Sequence, residues 1–167
     1  MEAMGVVELG HTGLWVTDLD VMRDFYEQVV GLSVTDSDDD FGIVFLSSRP
    51  SAEHHEMVLQ RGRRASGDVQ LVHQISWRVD SYETLQACHR RLVEHEVRIQ
   101  QVVTHGNAFG IYFFDPEGNR NEFYWSTGVD VPQPFRRTID VEINQDDALQ
   151  QSQEFITDDQ PRYQPVT

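Results

Sequence analysis

The sequence predicts an α+β fold made of two βαβββ modules. Three observations carry that prediction: an internal repeat, a histidine opening each half, and a switch from alternating to helical apolar spacing at the same point in both halves. His-Thr-Gly-Leu-Trp-Val from His11 and His-Gln-Ile-Ser-Trp-Arg-Val from His73 both have the alternation of a strand. An acidic helix start follows each strand, at Asp18 or Asp20 in the first half and at Asp80-Ser81 with Glu83 in the second. Helical spacing then runs through Met22, Phe25, Tyr26 and Val29, with Gly31 as the stop, and through Tyr82, Leu85, Cys88 and Leu92. The halves converge again on Phe41-Gly42-Ile43-Val44-Phe45 and Phe109-Gly110-Ile111-Tyr112-Phe113, β-branched and aromatic sequences suited to strands. Neither half-sheet can bury its apolar face alone. Pairing about a pseudo-twofold would give a cup-shaped mixed sheet with the helices outside.

A length of 167 residues suits one domain. We assign that domain to residues 1–127, with modules at about 6–60 and 70–127 and a basic, glycine-containing link over Gln60–Asp68. Residues 128–167 hold eight acids against three arginines and form an acidic C-terminal extension, helical over Gln145–Phe155 and mobile in its last dozen residues, acting as a lid or dimer contact at best. A formal charge of −15 argues against nucleic acid and membrane as partners. No apolar run reaches the length of a bilayer span, and Met1–Gly10 lacks the basic start and apolar centre of a secretory signal. These features predict a cytoplasmic protein. The lone Cys88 excludes an intramolecular disulfide, and its helical position gives it a packing role.

The chemistry resides in His11, His73 and Glu122. Two histidines and one carboxylate on three strands suit a non-haem Fe(II) site, which leaves the opposite side of the ion open to a bidentate substrate and dioxygen. One strand-opening histidine is more often hydrogen-bonded structure than a ligand, but the repetition favours a shared task. Glu122 sits among Phe123, Tyr124 and Trp125, where a buried charge needs a partner such as a cation.

The spaced run of His105, Ile111-Tyr112, Asp115-Pro116, Gly118 and Glu122 resembles the signature of the extradiol ring-cleaving dioxygenases of the vicinal oxygen chelate (glyoxalase/bleomycin resistance/dioxygenase) superfamily. The text Ile-Tyr-Phe-Phe-Asp-Pro-Glu-Gly-Asn-Arg-Asn-Glu looks most like the catechol 2,3-dioxygenases, and the wider resemblance covers Val7–Ser126. It implies an Fe(II) enzyme opening the ring of a catechol-type substrate with O2. On this resemblance His11, His73 and Glu122 hold the metal, His55 is an acid and base beside the bound oxygen, and His105 and Tyr112 hydrogen-bond the catecholate oxygens. Aligning the halves on their last strands instead sets Glu56 opposite Glu122, a four-ligand set similar to glyoxalase I. Alternation lets His55 or Glu56 face the metal, not both; His55 is preferred because the four-ligand set leaves His105 and Tyr112 without a task. Glyoxalases, epimerases, fosfomycin-type thiol transferases and non-catalytic antibiotic-binding proteins share the fold. Full-length dioxygenases commonly carry two module pairs, so a single pair implies a homodimer or higher homo-oligomer.

Overall fold

Strand β1 (Thr12–Val16) turns Leu14 and Val16 inward and Gly13 and Trp15 outward, the period-two pattern of a sheet covered on one face. It belongs to the first of two units, Met1–Val69 and Gln70–Thr167, into which the computed structural model divides the chain. Residues 9–63 and 72–158 are described. The expectations about a leader over Met1–Gly10, the link over Gln60–Asp68 and the last dozen residues fall mostly outside them.

In the first unit, Asp18 caps helix α1 (Leu19–Phe25), its side chain accepting from the Val21 N–H at 3.1 Å. The helix runs into a π-helical turn (Tyr26–Val30) that ends at Gly31, whose left-handed φ of 88° lets its N–H reach back to the Tyr26 carbonyl. Strands β2 (Ser33–Asp38), β3 (Ile43–Ser47) and β4 (Met57–Arg61) follow. The sheet order is β1-β4-β3-β2, with β1 parallel to β4 and the other pairs antiparallel. The outer strand β2 slips register between Val34 and Asp36. Leu14, Val16, Met22, Tyr26, Val44, Leu46, Met57 and Leu59 form the core, and burial of each such aliphatic side chain contributes roughly 1.5–3 kcal/mol.

The second unit repeats the chain order with β5 (Ile75–Arg78), α2 (Tyr82–Glu94), β6 (Ile99–Thr104), β7 (Ala108–Phe114) and β8 (Arg120–Ser126). Ser81 caps α2 by accepting from the Thr84 N–H. The strand order is β5-β8-β7-β6, and β5 is parallel to β8. The fold is thus α+β with a βαβββ module in each unit, as the repeat predicts. Leu85, Cys88 and Leu92 of α2 are buried, as are Ile111, Phe113 and Phe123 of the sheet, while Tyr82 meets the Phe109 and Trp125 rings edge-on.

The extension is tied to β6 and α2 of its own unit. Strand β9 (Arg137–Thr138) pairs with β6, and helix α3 (Gln145–Thr157) starts from an Asn144 cap. Val131, Phe135, Ile139, Val141 and Ala148 are buried. Tyr82 donates to the Val141 carbonyl, and the Thr104 and Ser152 hydroxyls meet at 2.7 Å. These anchors are spread among acids and prolines too widely to produce a hydrophobic period.

Candidate active site

Strands β5, β8 and β7 place Ser76, Glu122 and Tyr112 in one row, because Ser76 pairs with Glu122 and Glu122 with Tyr112. Side chains directly opposite on neighbouring strands share a face, so the three meet. Ser76 Oγ donates to Glu122 Oε2 at 2.6 Å and Gln74 Nε2 donates to the same oxygen at 3.1 Å, with Tyr112 opposite Glu122 on the neighbouring strand. Gly110, two residues before Tyr112 on the same face, gives the carboxylate room: a Cβ there would lie 2.7 Å from Glu122 Oε1. Glu122 is therefore a buried carboxylate bonded by neutral donors. The nearby guanidinium of Arg120 is held off it, donating to Gln74 Oε1 at 2.7 Å and to Gln100, and lying over the Tyr112 ring. A carboxylate so placed fits a divalent cation, which would supply the missing charge.

Hydrogen-bond accounting constrains the next link. His105 Nδ1 lies 2.8 Å from the Phe135 carbonyl and Nε2 lies 3.0 Å from Tyr112 Oη. A carbonyl only accepts, so Nδ1 carries a proton. In neutral His105, Nε2 is then an acceptor, and Tyr112 donates its phenolic proton to it. Burial raises the Tyr112 pKa, the Glu122 carboxylate adds to the rise, and Arg120 and Arg136 oppose it. The extension fixes His105 at a second point, where Gln133 Nε2 donates to its carbonyl.

In the first unit the His11 and His55 rings stand 4.5 Å apart, with Phe45 5.0 Å from His55. The Nδ1 atoms of His54 and His55 are 2.9 Å apart. Desolvation, then the neighbouring His11 and His54, lower the His55 pKa. Glu56 turns into its own loop: Ser48 donates to Oε2 from its N–H and hydroxyl, and Arg49 Nε donates to Oε1 at 3.1 Å. Burial alone would raise the Glu56 pKa, but the Ser48 bonds outweigh it and lower the value. A carboxylate tied to Ser48 and Arg49 has little left to offer a metal, which weakens the four-ligand alternative.

The repeat is in register on its caps and strands rather than on its histidines. The step along the chain that carries Asp18 to Ser81, and Thr12 to Ile75, carries His11 to Gln74 and Gly10 to His73. By the same pairings the counterpart of Glu122 is Val58, not Glu56. The two tryptophans that the sequence sets in parallel are on opposite faces: Trp15 is 64% exposed, whereas Trp77 is half-buried and donates to Asn121. His73 is exposed before β5. Of the residues named from sequence, His105, Tyr112 and Glu122 come together in the second unit and His11 and His55 in the first. Among the described residues no three His, Cys, Asp or Glu side chains form a metal-holding cluster. Around Glu122 the hydrogen-bonding partners are the Gln74 amide and the Ser76 hydroxyl instead. Sequence reasoning passed over Gln74, Ser76 and Gly110; the first two emerge only from the pairing of β5 with β8.

A family model described as the Glyoxalase/Bleomycin resistance protein/Dioxygenase superfamily matches residues 8–123. A 1,2-dihydroxynaphthalene dioxygenase of Pseudomonas putida is 26% identical over 135 residues, covering 78% of this chain and 42% of that protein. A biphenyl-2,3-diol 1,2-dioxygenase of Sphingomonas paucimobilis is 28% identical over 137 residues, covering 79% and 43%. The chain spans less than half the length of these curated relatives. Among solved structures, the fosfomycin resistance protein FosX of Listeria monocytogenes matches with a TM-score of 0.59 at 18% identity, over 73% of this chain and 95% of that one. A glyoxalase/dioxygenase from Nostoc punctiforme gives 0.59 at 16% identity, over 75% and 95%. At these identities the structural matches speak for the fold alone.

Proposed function

From the membership of this chain in the glyoxalase/bleomycin resistance protein/dioxygenase superfamily, we propose that it is an Fe(II)-dependent extradiol dioxygenase opening the ring of a catechol-type substrate with O2. The observation that carries the proposal is the row His105–Tyr112–Glu122, in which an imidazole bonded to a phenol stands beside a carboxylate suited to a cation. The relatives' names favour a fused-ring or biaryl diol.

Of the ligands the resemblance implies, Glu122 has the surroundings of a cation site and His11 stands beside His55. His73 is the ligand whose place is contested by Gln74. When bound, Fe(II) would lower the pKa of the substrate hydroxyls and bring substrate and dioxygen together. The rest falls to this chain's own groups. His105 and Tyr112 orient the diol and receive a proton from it through Tyr112 Oη and His105 Nε2. The bond from Nδ1 to the Phe135 carbonyl keeps that imidazole from turning away. The lowered pKa of His55 leaves its imidazole neutral and able to accept a proton at neutral pH. Oxygen uptake and a visible product band on mixing the Fe(II)-loaded protein with 1,2-dihydroxynaphthalene and simpler catechols test the proposal; no uptake with any diol would overturn it.

His55→Gln is expected to retain metal and substrate affinity while turnover falls ~10²- to 10⁴-fold, the usual loss with a general acid-base group. His54→Gln should change turnover little. An unchanged rate of ring opening in His55→Gln, measured in a single turnover, would remove His55 from the chemistry. We also propose that the chain self-associates, with a homodimer as the simplest closed form. Light scattering across micromolar concentrations checks this, and a monomer throughout would refute it.

A further inference from the structure

We infer that Gln74, not His73, holds the metal ion together with Glu122, through its carboxamide oxygen. The inference rests on the proposed metal-dependent function and departs from the ligand set that the family resemblance implies.

Three observations on the second unit support it. The first is register: the correspondence fixed by the caps and strand pairings gives Gln74 the place His11 has in the first unit. The second is strand parity. Ser76 is directly opposite Glu122 and bonds it. Two residues earlier in an extended chain is the same face and one further is the opposite face, so Gln74 shares the side of Glu122 and His73 does not. The third is contact: Gln74 Nε2 is 3.1 Å from Glu122 Oε2, while His73 stands exposed.

The carboxamide is also placed to turn. Its Oε1 accepts from Arg120 Nη1 and its amino group faces the carboxylate, the orientation that suits Glu122 without a cation beside it. A divalent ion next to Glu122 reverses that preference, since an amino group has no lone pair for a metal and the carbonyl oxygen does. Rotation about the terminal torsion of the side chain exchanges the two. Arg120 retains Gln100 Oε1, at 2.7 Å, and the Tyr112 ring after releasing Gln74. Ser76 Oγ continues to orient Glu122, as a hydrogen bond to a ligating carboxylate does elsewhere. An amide oxygen in place of an imidazole makes the donor set richer in oxygen, which suits Mn(II) better than two imidazoles would.

The test is Co(II) and Mn(II) titration of the metal-free protein and of Gln74→Ala, His73→Ala and Gln74→His. Affinity is read by calorimetry, coordination by the visible bands of Co(II), and folding by circular dichroism. Gln74→Ala is expected to weaken binding by ~10- to 100-fold or more, and His73→Ala to leave it unchanged. Gln74→His should restore binding with altered Co(II) bands, which separates loss of a ligand from loss of fold. Metal lost in His73→Ala and kept in Gln74→Ala would overturn the inference and leave the proposed function standing. A wild type that binds no ion beside a Gln74→His variant that does would overturn Gln74 as a ligand and the proposed function with it. A lack of binding in every variant would overturn the proposed function first, and the inference through it.

Discussion

Glu122→Ala is expected to abolish metal binding and reduce ring opening to background without unfolding the protein. The carboxylate is buried among Ser76, Gln74 and Tyr112, all neutral, so its removal takes away the one negative charge that favours a cation there. It also relieves a buried charge from a protein without metal, so the apo variant should be at least as stable as apo wild type. The two proteins separate when metal is added. At a free ion concentration of about 100 times Kd, wild type gains about 2.7 kcal/mol and the variant nothing. Metal analysis with thermal unfolding in the presence and absence of Fe(II) measures both, and full occupancy in Glu122→Ala would remove this residue from the site.

The second large effect is on stability and concerns Tyr82, at the junction of α2, the sheet and the extension. Its ring is buried edge-on to Phe109 and Trp125, and its hydroxyl donates to the Val141 carbonyl at 3.0 Å. Tyr82→Ala leaves a cavity and is expected to cost about 3–5 kcal/mol by denaturant unfolding. Tyr82→Phe removes only the hydroxyl and should cost about 0.5–1.5 kcal/mol, since Gln86 Nε2 still donates to Val141 O at 2.9 Å. Burial, helped by Asp140 and Glu142, pushes the phenol pKa up to about 12 from 10.0. The neutral phenol's contribution is therefore complete below pH 10.0 and declines as the pH rises towards about 12. A loss below about 1 kcal/mol in Tyr82→Ala would mean that the extension docks without this anchor.

Much of this was legible in the sequence because local chemistry fixed it. Asp18, Gly31 and the helical spacing around Leu85 each act on their own segment, and each is where the pattern puts it. His105, Tyr112 and Glu122 were legible as a motif, and adjacent antiparallel strands bring them together. The place of Gln74 was not legible. Matching His11 with His73 also matched two tryptophans and looked the stronger alignment, yet it differs by one residue from the alignment the caps and strand pairs impose. In a strand that single residue exchanges the two faces of the sheet. Alternation alone set Glu56 against His55 without deciding between them; the hydrogen bonds to Ser48 and Arg49 that decide the direction of Glu56 are announced by nothing in the local spacing. How the extension docks was not legible, because its buried residues are sparse among acids and prolines and become an anchor only against α2 and β6.

The outer strand of the first sheet has a consequence for how copies of the chain can meet. Among the described residues, strand β2 leaves one row of backbone amides and carbonyls without a strand partner in its own sheet, the kind of border along which sheets add to one another. Here that border is broken by the slip between Val34 and Asp36 and carries Asp36 and Asp38, with Asp39 and Asp40 just beyond. A second copy laid along it antiparallel would bring carboxylates against carboxylates in a row of mismatched hydrogen bonds. Zipping β2 to β2 is thus disfavoured by charge and by geometry together, and the same acids guard the chain against fibrillar stacking from this side.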